Sequence, residues 1–250
     1  MAWAQPAGAD DGRRAYALET VVLFGAPLNL SVVSMPLIDN AGNVVFFATT
    51  WDGRSRSWGE GFFYRRSGGV LEPLLKPGDT IAALNDAVVA ATTSSFAERR
   101  AGYWIGGSGE ALFGAVLELD GNKGVTAENR YVLLRGTPGD LSVVYRGGDP
   151  LDTPGALLTT AREAHLYGNG TVSFVRPEDK GRLVVSQPGQ TPPWATLVKS
   201  GDAVGGCGTA DTVRAAAGNG AGTFGWVGVT INGITAFAVC KSENGEFKEL

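Results

Sequence analysis

The chain has 250 residues, of which 44% are hydrophobic and 18% are charged, and its net charge is −4 at pH 7. This composition supports a packed core and excludes a disordered chain. Basic residues are scattered and cluster only as pairs, which argues against nucleic acid as a partner, because its phosphate backbone requires clustered Lys and Arg. No apolar run reaches the roughly 20 residues of a membrane helix, so membrane insertion is not expected.

The N-terminal segment, residues 1–17, is predicted to be flexible. Within it, Ala2-Trp3-Ala4 has small residues spaced as a signal peptidase prefers. A chain that begins just upstream of its mature start has this form, and a chance Ala-rich start accounts for it equally well. Export to the periplasm or the cell exterior, as a secreted protein, is therefore an expectation.

A short phrase recurs four times downstream: Gly, any residue, a small or branched residue, any residue, Phe. The glycines recur at intervals of about 50 to 70 residues, which favours a stacked or radial array of similar units. The glycine and phenylalanine of each copy are Gly42 and Phe46, Gly109 and Phe113, Gly170 and Phe174, and Gly220 and Phe224.

A second pattern follows the first three copies: two apolar or aromatic residues, a base, a variable residue and Gly-Asp. Its aspartates are Asp79, Asp149 and Asp202. Gly-Asp favours the turn that leaves a strand. One interpretation of these aspartates is a ring of carboxylates for cations or a polar ligand, and the other is capping of the turn through backbone N–H groups. Repetition at equivalent turns favours capping.

Each unit is predicted to contain about four short antiparallel strands, so the fold class is all-β and β-propeller-like, with four repeats. The single domain is predicted to span 18–250, with repeats at about 27–79, 80–149, 150–202 and 203–250. No segment is predicted to be helical, although the alanines of 80–100 come nearest. The predicted strands are 29–38, 43–50, 61–66 and 70–75, then 101–106, 110–117, 130–135 and 141–146, then 161–167, 171–176, 181–186 and 194–199, and last 211–217, 222–229, 234–240 and 245–250. The repeated phenylalanines are predicted to pack between neighbouring sheets.

Both termini offer an outer strand. Residues 21–28 resemble 143–151, so the chain begins with a copy of a fourth strand, and 245–250 also has the form of a fourth strand. One terminus commonly closes a propeller ring by adding its strand to the blade of the other. With two candidates for one position, closure, a fifth strand, self-association through the terminal strands and a longer natural array all stay open.

These units resemble those of exported bacterial tandem-repeat proteins of β-propeller type, a largely uncharacterised group. Their units follow the pattern Asn-x-x-Gly-x-Val-x-Phe, then a strand pair, then Gly-Asp. The segment from Asn40 to Phe46 and the pair Gly78-Asp79 match it best. The resemblance covers about residues 20–250. It implies a fold and an export route, and it transfers no catalytic residue.

His165, the only histidine, aligns with Leu37, Trp104 and Ala215 at a first-strand position that lines the axis of a propeller. A histidine there either contacts a ligand or acts as a base, or it simply fills an apolar position of the repeat. No Gly-x-Ser-x-Gly elbow accompanies it, because 106–109 lacks the last glycine. No catalytic residue is assigned, and Trp104 and His165 are candidate ligand contacts.

The segment 51–60 is predicted to be a long loop and the best loop candidate for binding. It carries Trp51, Arg54, Arg56 and Trp58, and Trp and Arg dominate interface hot spots. Cys207 and Cys240 form either one disulfide or two buried thiols. Two cysteines and one histidine are too few for a typical zinc site, so neither a metal nor a cofactor is predicted.

The leading hypothesis is a non-enzymatic, exported binding module that recognises a protein or a glycan through loops on one face. The clear sequence repeats, together with the lack of a recognisable set of catalytic residues, favour this hypothesis. The alternatives are a glycan hydrolase that uses carboxylates at the axis, and a structural component of a surface or virion assembly that uses the terminal strands.

Overall fold

The structure is a computed structural model in which residues 2–7, 15–20, 30–33, 36–52, 57–92, 103–150, 162–167, 170–176, 181–186, 194–203, 209–218, 224–238, 240–243 and 246–249 are described. Apart from two 3-10 turns, Ala82–Leu84 and Gly121–Lys123, their regular structure is β-strand. No helix in this part of the chain has the length and apolar character needed to cross a membrane.

The N-terminal residues form an antiparallel hairpin of β1 (Ala2–Ala7) and β2 (Ala15–Thr20), with Ala2 opposite Thr20. Residues 2–7 and 15–17 of the segment expected to be flexible are strand residues. β2 pairs with β1, and the candidate closing strand, 21–28, lies outside the described residues.

The first sheet has its strands in the order β3-β5-β6-β7, and β4 pairs with β5 beside β3. The predicted first strand, 29–38, thus contains two described strands on the same side of β5. The strands are β3 (Leu30–Val33), β4 (Leu37–Ile38), β5 (Val44–Asp52), β6 (Ser57–Arg65) and β7 (Leu71–Leu75).

The second sheet repeats this arrangement, because β9 and β10 both pair with the same edge of β11. The order is β13-β12-β11-β9-β8. Its strands are β8 (Thr80–Ile81), β9 (Ala87–Thr92), β10 (Tyr103–Ile105), β11 (Ala111–Leu117), β12 (Tyr131–Thr137) and β13 (Asp140–Arg146).

The third sheet is a simple four-stranded meander, and the fourth follows it. The third comprises β14 (Arg162–Leu166), β15 (Val172–Arg176), β16 (Arg182–Ser186) and β17 (Trp194–Lys199). The fourth comprises β18 (Thr212–Gly218), β19 (Phe224–Ile231) and β20 (Ile234–Ala238), and a separate two-stranded ladder follows, formed by β21 (Cys240–Glu243) and β22 (Glu246–Glu249). β21 follows β20, contacts β19 and pairs with β22, and β22 lies within the strand predicted at 245–250.

The core lies between consecutive sheets. Phe113 and Phe174 are completely buried. Phe113 meets Phe62 of the preceding sheet at a ring-centroid distance of 4.9 Å, and Phe174 meets Tyr145 of the preceding sheet at 5.2 Å. Phe46, also completely buried, stacks on Phe63 of its own sheet at 5.8 Å. Each buried phenyl ring stabilises the fold by about 1.5–3 kcal/mol through removal of apolar surface from water.

Contacts between sheets follow chain order: first with second, second with third, and third with fourth. Four successive antiparallel sheets that pack face to face define an all-β, β-propeller-like fold, as the repeats predicted. The short first strands are neighbours, because β10 lies against both β4 and β14, and β14 lies against β18.

Two segments differ from the sequence-based expectation. The expected loop 51–60 is largely strand, because β5 and β6 extend to Asp52 and Ser57 and leave only 53–56 between them. The alanine-rich part of 80–92 is the β8–β9 hairpin, whose turn includes Asn85 and Asp86 with φ of 55° and 56°. Asn and Asp tolerate this left-handed conformation better than most residues, so they favour a turn over a helix here.

Candidate functional site

The repeated glycine phrase begins at a turn of one geometry in three sheets. Gly42, Gly109 and Gly170 have φ between 82° and 86°. Each glycine N–H donates to the carbonyl three residues earlier, at 3.1, 3.0 and 2.9 Å. The repeat therefore contains glycine because the turn from first to second strand needs a left-handed residue.

These turns also connect neighbouring sheets. The Tyr64 hydroxyl, on the third strand of the first sheet, donates to the carbonyl of Gly109 in the second sheet at 2.6 Å. Arg135, on the third strand of the second sheet, donates from Nη1 to the carbonyl of Gly170 in the third sheet at 3.2 Å. Burial raises the pKa of Tyr64, which keeps its hydroxyl protonated as a donor.

Arg135 is itself held by a carboxylate. Its Nη2 lies 2.6 Å from Oε2 of Glu110, and the Ser108 hydroxyl donates to the same oxygen at 2.9 Å. The hydrogen bond from Arg135 lowers the pKa of Glu110 below its usual range, with a smaller contribution from Ser108. Glu110 thus stays ionised and orients the guanidinium toward the next sheet.

The three Gly-Asp aspartates close their own turns. Asp79 accepts from the backbone N–H of Lys76 at 2.9 Å, and Asp149 and Asp202 accept from the equivalent N–H groups of Arg146 and Lys199 at 2.7 and 3.0 Å. These are the bonds of the capping interpretation. The carboxylates are directed to backbone rather than gathered into a ring of ligands.

The first-strand position brings two of the candidate ligand contacts together. Trp104 stands opposite Leu112, His165 opposite Ser173, and Leu37 opposite Val45, so all three occupy one register position. The centroids of the Trp104 and His165 rings are 4.7 Å apart and the rings meet at 68°. Both side chains are half-buried. We call these two side chains the ring pair.

Two further residues, Tyr167 and Ser173, lie beside His165. Tyr167 has its ring centroid 6.5 Å from that of His165, at an interplanar angle of 28°. Its hydroxyl shares a 2.9 Å hydrogen bond with the completely buried hydroxyl of Ser173. Burial raises the pKa of Tyr167 to about 12, so Tyr167 remains neutral.

His165 is a neutral imidazole at pH 7, because burial lowers its pKa below the ordinary value of 6.5. A neutral imidazole offers one N–H donor and one lone-pair acceptor. The ring pair therefore combines an indole, for apolar contact, with a group that both donates and accepts hydrogen bonds.

The other predicted site residues are not brought to the ring pair by any described contact. Trp51 and Trp58 are cross-strand neighbours on β5 and β6, whereas Arg54 and Arg56 lie outside the described residues. Cys240 stands opposite Glu249 in the β21–β22 ladder. Cys207 and Gly220 lie outside the described residues, and Phe224 begins β19. Within the described part of the chain, no group of three or more His, Cys, Asp or Glu side chains is placed to hold a metal.

Sequence reasoning missed Tyr64, Glu110, Arg135 and Tyr167. For Tyr167 a signal existed, because it lies two residues after His165 on the same side of an extended chain. No sequence signal pointed to Tyr64 and Arg135, because a tyrosine and an arginine do not look alike in a repeat alignment. Their register positions are nevertheless equivalent. Their shared role appears only when the strands are paired.

The sheets define a propeller-like fold, and the ring pair is an aromatic contact between its first strands. The chain belongs to a family of unknown function (DUF7453), whose model matches residues 9–186. No curated protein matches its sequence.

Two solved structures show similarity at low identity. The β-propeller domain of the Trilobed protease from Pyrococcus furiosus is 7% identical, with a TM-score of 0.48 over 90% of this chain and 58% of that one. Prolyl oligopeptidase B from Galerina marginata is 10% identical, with a TM-score of 0.47 over 87% of this chain and 29% of that one. The chain thus spans less than two thirds of either protein. The assignment of the fold rests on the sheets of this chain and not on these two similarities.

Proposed function

We propose that this protein is a binding module that holds its ligand at the ring pair, on the first strands of the second and third sheets. The observation that carries the proposal is the meeting of Trp104 and His165 at 4.7 Å, each half-buried and each at the same position of its unit. Binding sites typically combine apolar and aromatic walls with a few placed polar groups. The ring pair has both.

The location of the site differs from the loop face that the sequence suggested. Trp51 and Trp58, the main loop candidates, lie within a strand hairpin. The first strands of neighbouring sheets contact one another, so a ligand at the ring pair meets several sheets at once. Ligand sites often lie where structural units meet, and this supports recognition of a ligand at the ring pair over a purely structural role.

The described carboxylates do not favour the alternative of a glycan hydrolase. Such an enzyme needs one carboxyl with a raised pKa facing a second carboxylate. Glu110 is paired with Arg135, and its pKa is lowered. Burial raises the pKa of Glu60, but Glu60 lies on β6, opposite Thr49 of β5, and not on the strands that carry the ring pair.

The test uses the single histidine as a probe. With ¹⁵N-labelled histidine, the two imidazole nitrogens of His165 give one pair of NMR signals, which can be followed as pools of sugars, peptides and metabolites are added. We expect at least one pool to shift these signals. If no pool shifts them, the proposed function is wrong.

Variants then assign the binding to the ring pair. Trp104→Leu places at this position the residue that the first unit carries as Leu37, so the fold should accept it. It should weaken binding, whereas the control Val70→Ser, at a side chain that is 76% exposed, should not. Export stays a prediction from Ala2-Trp3-Ala4, which fractionation of cells that produce the natural protein would test.

A further inference from the structure

We infer that the ligand of the ring pair is an uncharged saccharide, with one sugar face against Trp104 and a hydroxyl bonded to His165. The inference rests on the proposed function and specifies the ligand class for the same site.

The first support is the balance of charge on the strands that carry the ring pair. β10 and β11 contain no charged residue, and the two charged residues of β14, Arg162 and Glu163, have opposite signs. Nearby, Glu110 and Arg135 neutralise each other at 2.6 Å. A charged ligand that enters this site loses hydration and meets no net charge of opposite sign on these strands, which is costly. An uncharged ligand avoids this cost.

The second support is the chemistry of the two rings. The face of an aromatic ring is electron-rich, and it attracts the weakly positive C–H groups on the face of a sugar. The neutral imidazole of His165 has one donor and one acceptor, and a hydroxyl group can satisfy either. Because the rings meet at 68°, they form a corner with an apolar wall and a polar wall. A sugar ring also has an apolar face beside polar hydroxyl groups at its rim, so its face can contact Trp104 while a rim hydroxyl bonds to His165.

The third support separates a saccharide from a protein partner. A stable protein interface covers about 800 Å² on each partner. The ring pair lies on the short first strands, with β4 and β18 as further neighbours, and offers two half-buried side chains. Among the exposed large hydrophobic residues of the described chain, only Ile38 lies on a first strand, whereas Val70 precedes β7, Leu119 follows β11 and Ile234 begins β20, so they do not form one broad patch with the ring pair.

The experiment compares ligand classes on the full chain. The uncharged probes are cellobiose, maltose and diacetylchitobiose, the charged probes are glucuronic acid and glucosamine, and the protein probe is a tryptic digest of casein. The readouts are the imidazole signals of His165 and calorimetric titration. We expect an uncharged sugar to shift the signals and to bind at least about tenfold more tightly than the charged sugars, the ratio that corresponds to 1.4 kcal/mol.

The outcomes separate the two proposals. Signals that move only with the charged sugars or the peptides overturn the saccharide inference and leave the binding module in place. Signals that move with none of the probes, nor with the broader pools, overturn the binding module itself.

Variants test whether the sugar contacts both rings. By calorimetry, Trp104→Leu and His165→Leu should each weaken the sugar by about tenfold or more. His165→Gln keeps a donor and an acceptor, so it should retain more affinity than His165→Leu. Thermal unfolding of each variant controls for loss of fold. Equal affinity of the folded His165→Leu variant and the parent would refute the hydroxyl contact.

Discussion

Tyr64 and Arg135 occupy the same register position in neighbouring sheets, and each donates a hydrogen bond to the turn glycine of the next sheet. Tyr64 stands opposite Val45 and reaches Gly109, and Arg135 stands opposite Leu112 and reaches Gly170. A phenol and a guanidinium thus perform the same task. The turn carbonyl between the first and second strands is an acceptor that the second and third sheets each present to the preceding sheet.

The Tyr64→Phe variant tests this connection. It keeps the ring but leaves the carbonyl of Gly109 without its 2.6 Å donor. A buried acceptor that loses its partner costs about 1–3 kcal/mol, so the free energy of unfolding should fall by that amount. Urea denaturation followed by far-UV circular dichroism measures it. An unchanged midpoint with an unchanged slope would show that the bond contributes nothing to stability.

Glu110 should make a small, pH-dependent contribution. Its pKa is lowered by Arg135, so the stabilisation is present above the unfolded pKa of about 4.3 and is lost as the pH falls through the folded pKa. Because both side chains are about 30% exposed, the loss should stay below about 1 kcal/mol. The comparison is urea denaturation of the parent and Glu110→Gln at pH 7 and pH 3. The difference between the two proteins should shrink at pH 3, and a difference that grows would contradict the assignment.

His165 should also make the stability fall as the pH is lowered, but for a different reason: burial disfavours its charged form. Its folded pKa is below 6.5, so as the pH falls through 6.5 the unfolded chain takes up a proton that the folded protein does not. Stability is therefore full above pH 6.5, and it falls until the folded pKa is passed. NMR titration of the imidazole measures the folded pKa directly. The His165→Leu variant should lack this part of the pH profile, and a folded pKa above 6.5 would reverse the prediction.

Gly201 tests the Gly-Asp turn. It has φ of 93° and open space around an added Cβ, so Gly201→Ala introduces backbone strain without a clash. The expected loss of stability is about 1–2 kcal/mol, the cost of a left-handed conformation for an L-residue. Gly121 is the matched control, because an added Cβ there also meets nothing and its φ is not positive. Gly121→Ala should be neutral or slightly stabilising. Equal melting temperatures for the two variants would contradict the role given to the turn.

Much of the strand order could be predicted from the repeats. The third unit, expected at 161–167, 171–176, 181–186 and 194–199, contains β14 to β17 within two residues of those limits. The prediction succeeded because the glycine phrase and the Gly-Asp pattern mark the turns, and turns depend on local conformation. The β8–β9 hairpin was not predicted, since its alanines favour no single state and pairing of β9 with β11 decides it.

The sequence alone determined that Trp104 and His165 hold equivalent positions, because alignment on the glycine phrase shows it. Only the tertiary structure decided that their rings touch, that Tyr167 and Ser173 lie beside His165, and that Glu110 forms an ion pair with Arg135. Tertiary structure likewise paired Trp51 with Trp58 within a hairpin instead of a loop. The physical reason is the distance along the chain between the residues that interact. A turn depends on the φ and ψ angles of a few adjacent residues, whereas these contacts join residues that are distant along the chain and meet only when whole sheets pack.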